Sequence, residues 1–159
     1  MALLALSTLT GRMRTTAIGG YMTIQREWKF GTHTAHFEQP DILWVKIHGE
    51  TTLQDAIALS ELYGELGNKN PYFVVTDLTD ATSVETEARE HVSKNINPGW
   101  FLGSVYIGAG FVQKAVAKSL AFVHAMTGKL TFDMHFVATE QEARELIARE
   151  RVQRSTRVA

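Results

Sequence analysis

The chain has 159 residues, 45% of them hydrophobic and 21% charged, with 12 glycines and 3 prolines. That length suits one domain whose core needs no staples, and the composition is that of a folded globular protein rather than a disordered or fibrous one. Sixteen Lys and Arg against 17 Asp and Glu leave a net charge of −1, which removes any broad attraction to nucleic acid or to an anionic membrane. The absence of cysteine excludes disulfides, thiolate metal sites and a cysteine nucleophile, and agrees with a cytoplasmic location.

The apolar run over residues 2 to 9 has no Lys or Arg before it, while Arg12 and Arg14 follow. It fits neither a signal peptide nor a membrane span. Residues 1 to 21 are therefore expected to be a loose N-terminal extension, residues 22 to 150 the domain, and residues 151 to 159 a frayed C-terminal tail.

Residues 27 to 39, rich in Thr, His and aromatic side chains, read as one strand stopped by a turn at Gln39-Pro40-Asp41. Residues 42 to 48 form the next, with Leu43, Val45 and Ile47 on one face and Trp44, Lys46 and His48 on a wetter one. The tight turn between them predicts antiparallel pairing. From Thr51 the period turns helical, with an apolar stripe of Leu53, Ile57, Leu59, Leu62, Tyr63 and Leu66. Thr51-x-x-Gln54 reads as its capping box and Gly67 as its stop. Residues 72 to 76 are a continuous apolar run, the pattern of a central strand covered on both faces.

A polar loop opens at Asp77, a short helix follows over residues 86 to 94, and Asn97-Pro98-Gly99 breaks the chain again. Residues 101 to 107 make a strand closed by Gly108-Ala109-Gly110, and residues 111 to 126 a helix that is apolar almost all round. Residues 132 to 137 are the last strand, and Thr139-x-x-Glu142 caps a final helix running to about residue 149. The order β-β-α-β-α-β-α-β-α predicts one α/β domain on a mixed, mostly parallel five-stranded sheet with helices packed on it.

No catalytic set and no metal site emerges. His33 and His36 alternate onto opposite faces of a strand and cannot chelate one ion together, while Glu87 with His91 and Asp133 with His135 each supply only a pair. Gly108 and Gly110, with Lys114, could shape an anion site at a helix start, but position 113 of a dinucleotide fingerprint holds Gln113 and a tight turn explains the glycines as well. The densest polar cluster is Asp77, Thr79, Asp80, Thr82, Ser83 and Thr86, just past the carboxyl end of the central strand, where open α/β sheets dock ligands and partners. Its members also suit turns and helix caps.

The element order, with Val74-Val75-Thr76-Asp77-Leu78-Thr79, resembles the STAS and SpoIIAA-like superfamily over roughly residues 27 to 149. Trp100-Phe101 and Gly108-Ala109-Gly110-Phe111-Val112-Gln113 are similar to its divergent STAS/SEC14 branch. In that superfamily's anti-sigma-factor antagonists, a partner kinase phosphorylates the first Ser of an Asp-Ser-Ser-Gly segment. The corresponding positions here hold Glu85-Thr86-Glu87-Ala88, so Thr86 is the residue left to accept phosphate.

The resemblance implies a non-enzymatic regulatory domain, without cofactor, that meets a protein partner through Asp77, Thr79, Asp80, Ser83 and Thr86. The SEC14-like label implies an alternative, a carrier of a small apolar ligand. Trp44, Trp100, Phe101, Phe111 and Phe122 would then line its pocket, or else form a homodimer face. An enzyme is the third reading, and it needs a cleft joining Asp77 or His91 to a further polar group.

Overall fold

A computed structural model describes residues 9–18, 21–110 and 134–158. Among these residues seven strands form one sheet in chain order: β1 (Thr10–Ile18), β2 (Tyr21–Phe30), β3 (His33–Glu38), β4 (Ile42–Thr51), β5 (Tyr72–Val84), β6 (Phe101–Ile107) and β7 (Met134–Val137). The first four strands pair antiparallel as a meander, whereas β4 to β7 pair parallel. The predicted count of five is thus corrected to seven, and the sheet is evenly mixed rather than mostly parallel.

Both additions come from the N-terminal side. The stretch read as one strand is a hairpin, β2 and β3, turned at Gly31-Thr32, and the expected extension supplies β1, paired along β2 from Thr10↔Lys29 to Ile18↔Tyr21. The Gln39-Pro40-Asp41 turn does join antiparallel strands, through a cis Gln39–Pro40 bond.

Among the described residues there are three α-helices: α1 (Leu53–Gly67), α2 (Thr86–Asn95) and α3 (Glu140–Val158). On one face Ala58, Leu62, Tyr63 and Leu66 of α1 pack on Trp28, Phe30, Leu43, Val45, Tyr72 and Val74, and α2 packs on α1. On the other face Ala143 and Ile147 of α3 cover Ile42, Trp44, Phe73, Val75, Val105 and Ile107. Both sides of β5 are therefore buried from Tyr72 to Thr76, as its continuous apolar run requires. Right-handed crossovers between strands laid down in one direction put their helices on one face, and α3, which follows the last strand, returns on the other.

Several local readings shift. The capping box of α1 is Thr52 with Asp55, one residue past the predicted pair. Gly67 lies within α1, and a Cβ there would come within 2.3 Å of Trp100 Cβ, so this glycine admits an indole rather than reversing the backbone. Helix α3 continues to Val158 where a frayed tail was expected. The apolar segment of residues 111 to 126, with Phe111, Lys114 and Phe122, lies outside the described residues, as does Asp133. Among the described residues no helix is long and apolar enough to cross a membrane.

Candidate functional site

The polar cluster predicted as a loop is strand. Strand β6 leaves β5 at Asp77↔Ile107, but β4 accompanies β5 to Thr51↔Val84, with register slips between Lys46 and His48 and between Gly49 and Glu50. A two-stranded rim therefore stands at the carboxyl end of the parallel strands, irregular enough to carry polar side chains close together. Lys46 Nζ lies 3.9 Å from Asp77 Oδ2 and 3.7 Å from Asp80 Oδ2, and His48 Nδ1 lies 3.5 Å from Asp80 Oδ2. The Asp77 Oδ1 atom accepts the Thr79 N–H at 2.9 Å and the Thr79 hydroxyl at 2.6 Å. Further along, Ser83 Oγ donates to Glu50 Oε1 at 3.1 Å.

Asp77, Thr79, Asp80 and Ser83 do come together, joined by Lys46, His48 and Glu50 from β4. The wet face of that strand was visible in its alternation, yet nothing in the sequence shows which acids it would meet. Burial works against ionisation of Asp77, but the two donations from Thr79 and the neighbouring Lys46 and His48 outweigh it and hold the carboxyl below its ordinary value.

Gly108 closes β6 beneath this rim. Its φ of 64° is in the left-handed region, and a Cβ would sit 2.6 Å from Thr79 Oγ1, so no other residue fits both the turn and the contact. Its N–H donates to Val137 O at 3.2 Å, while Gly110 is exposed.

Thr86 is the exposed first residue of α2. Neither it nor Ser83 caps that helix. Glu85 is the N-cap residue, and its carboxylate reaches across to accept the Leu53 N–H of α1 at 2.8 Å. One acidic residue thus ties the starts of two helices, where a negative charge meets the positive end of each dipole. The Thr86 hydroxyl accepts from Arg89 Nη2 at 3.3 Å.

Below the rim lies a buried polar staple that sequence reading missed. His33 is fully buried, and its Nδ1 accepts the His48 backbone N–H at 3.0 Å. A backbone N–H can only donate, so the proton of the neutral ring sits on Nε2, directed to Asp55 Oδ2 at 3.3 Å. That oxygen also accepts the Thr52 N–H at 3.0 Å and hydroxyl at 2.9 Å, and Thr32 Oγ1 donates to His48 O at 2.7 Å. With both ring nitrogens engaged, His33 has no free lone pair to act as a base. Its role is to fix the His48 backbone, and hence the bulge that aims His48 at Asp80. The one sequence clue was Gly31, whose Cβ would fall 2.3 Å from Asp55 Oδ1.

The remaining candidates disperse. Trp44 belongs to the core under α3 and Phe101 to the core under α1, so the sheet separates them and they do not line one pocket. Trp100 lies against Gly64 and Gly67 and donates from Nε1 to Asn68 Oδ1 at 3.1 Å. His33 and His36 occupy opposite faces, as expected. On α2, His91 Nδ1 lies 3.2 Å from Asn95 Nδ2. Among the described residues no three His, Asp or Glu side chains gather to hold a metal ion.

No family model matches the chain, and no curated protein matches it. Solved structures do. An uncharacterized DUF3478-family protein with a SpoIIAA-like fold from Shewanella loihica PV-4 aligns with a TM-score of 0.50 at 12% identity, over 87% of this chain and 93% of that one. The anti-sigma factor antagonist SpoIIAA in its unphosphorylated form aligns with a TM-score of 0.54 at 8% identity, over 74% of this chain and 98% of that one. The fold is SpoIIAA-like.

Proposed function

We propose that this chain is a non-enzymatic regulatory domain that binds a protein partner through the rim formed by Lys46, His48, Asp77, Thr79, Asp80 and Ser83, together with Thr86. The observation that carries this reading is the rim itself. An extra residue in β5 between the Lys46↔Asp77 and His48↔Asp80 pairs, set against a β4 backbone pinned from below by a buried histidine, holds oppositely charged side chains in a fixed pattern on an exposed edge. Such a pattern selects a partner by charge complementarity. Its hydrogen bonds are made internally, and the His33–Asp55 pair beneath it has no free nitrogen, which suits recognition better than proton transfer.

Thr86 gives the rim a means of control. A phosphoryl group there would lie at the start of α2 beside Arg89 and near the Glu85 carboxylate that bridges to α1, gaining from the dipole and the arginine and repelling the glutamate. The test is co-purification with the chain and with a D80A/S83A/T86A variant. A partner retained by the first and lost by the second, at equal folded content, supports the reading. A partner held equally by both removes the rim from it.

A further inference from the structure

The last three turns of α3 are rich in positive charge. Arg151 and Arg154 mark where the sheet stops. The first pairs with Asp41 at the amino end of β4 and the second donates to the Leu102 carbonyl at the amino end of β6. Residues 149 to 158 hold four arginines against the single Glu150, a net +3. Arg149 and Arg157 are exposed, form no ion pair among the described residues, and flank Val152, which is 65% exposed.

The opposite end of the sheet carries the opposite sign. Around the rim and the start of α2 lie Glu50, Asp77, Asp80, Glu85, Glu87 and Glu90 against Lys46 and Arg89, a net −4. Glu87 and Glu90 are exposed and likewise without an ion pair among the described residues. Helix α3 starts at the carboxyl end of β7 with Glu140, which places Arg149 and Arg157 roughly 14 and 26 Å along it at the usual helical rise. Both distances exceed the screening length of about 8 Å at physiological salt. The two patches therefore cannot neutralise each other within one molecule, although the chain as a whole is near neutral.

We infer that copies of this chain associate head to tail, the basic end of α3 on one seating against the acidic rim and α2 of the next. Charge complementarity between two ends of the same molecule selects a second copy as the occupant. Because the two surfaces differ, the contact is heterologous and leaves a free end of each kind, so association continues beyond a dimer. This rests on the reading of the rim as a partner surface and names a basic helix as what it takes.

The test is sedimentation velocity of the full chain over a concentration series at about 0.1 M and about 1 M salt, where the screening length falls from roughly 10 to roughly 3 Å. The expected result is a mass that climbs past the dimer with concentration at low salt and returns to the monomer at high salt. R149E/R157E and E87R/E90R should each stay monomeric at both, with unchanged circular dichroism, and should associate when mixed. A monomer throughout, or a closed dimer indifferent to salt, would overturn the inference. So would anionic vesicles that bind through Arg149 and Arg157 while the chain itself stays monomeric. Capture of a different protein through Asp80, Ser83 and Thr86 by such a monomer would leave the proposed function standing and this inference refuted.

Discussion

The two faces of the sheet are covered by helices of similar length held by different forces. Helix α1 buries eight residues, among them Leu62, Tyr63 and Leu66, under a cluster of aromatic rings in which Tyr63 and Tyr72 each meet Phe101 edge-on at 5.2 and 5.5 Å. Helix α3, four residues longer, buries only Ala143 and Ile147. Arginines hold it instead. Arg144 donates to both oxygens of Glu38 at 2.8 and 2.9 Å, pairs with Glu140, and lies 4.5 Å over the Trp44 ring, whose Nε1 donates to the same Glu38 at 3.0 Å. Arg151 and Arg154 both approach the Phe73 ring at 5.9 Å. The stems of these side chains cover apolar surface that leucines cover on the other face. One cover is therefore bound by area and the other by charge, and the two should respond to different solution conditions.

The sharpest way to break this comparison is to damage each cover at its own anchor. Leu62→Ala, at a position of 0% exposure, should cost about 2–5 kcal/mol in chemical denaturation, with little dependence on salt. Asp55→Ala removes the carboxylate half of the α1 capping box and strands the His33 Nε2–H in the core, for about 2–3 kcal/mol when the lost capping bonds and an unpaired donor are combined. Arg144→Ala acts on a partly exposed bidentate pair and should cost about 1 kcal/mol, shrinking as salt is raised. If Arg144→Ala proves as costly as Leu62→Ala and equally indifferent to salt, the two covers do not differ in kind.

Acid and alkali should separate the faces without mutation. Donation from Arg144 holds Glu38 below its ordinary value against the opposing effect of burial, and burial lowers His36, which stacks on Trp44 at 6.2 Å, despite the nearby Glu38 and Glu27. The unfolded chain takes up protons at His36 first, so stability falls as pH drops below 6.5. It falls again below 4.5, as Glu38 is titrated through its lowered folded value. On the α1 face burial raises Tyr63 and Tyr72 from 10.0, so their contribution is intact below that pH and is lost above it. Hydrogen exchange should show α3 loosening before α1 in acid and the reverse in alkali. Simultaneous loosening at both extremes would mean the faces unfold as one unit.

The same contrast explains what the sequence discloses. Helix α1 was legible because burial leaves a periodic apolar stripe, and β5 because burial on both sides leaves an unbroken one. The far half of α3 was not, because arginines that clamp onto Asp41 and a backbone carbonyl look like a solvated tail. Strand β1 was missed because Thr10, Arg12 and Arg14 are exposed and show no core-facing alternation. The β2–β3 turn hid because Gly31-Thr32 interrupts a run of strand formers without the proline or asparagine that usually marks a turn. The capping box slipped by one because Thr51 and Thr52 are both competent caps, and the choice was made by His33, twenty-two residues from Asp55 along the chain. The rim was half legible. Its β5 members cluster in sequence, but β5 extends through them only because β4 runs alongside, and the Lys46 and His48 partners depend on a register slip that no local pattern encodes.

The rim belongs to neither cover, and it should yield the smallest effect. In the D80A/S83A/T86A variant, Asp80 gives up contacts of 3.5 and 3.7 Å to side chains that are 42% and 46% exposed. Ser83 and Thr86 each lose one exposed side-chain hydrogen bond. Exposed pairs of this kind contribute little because water replaces them and salt screens them, so the three changes together should move the unfolding free energy by about 1 kcal/mol at most. The backbone beneath them is set independently, by His33 through the His48 N–H and by Gly108 against Thr79, so the bulge should persist and the Lys46 and His48 resonances should shift only locally. A loss of several kcal/mol would show instead that these side chains hold the end of β5 on β4, and the rim would then be a structural clasp rather than a surface free to meet a partner.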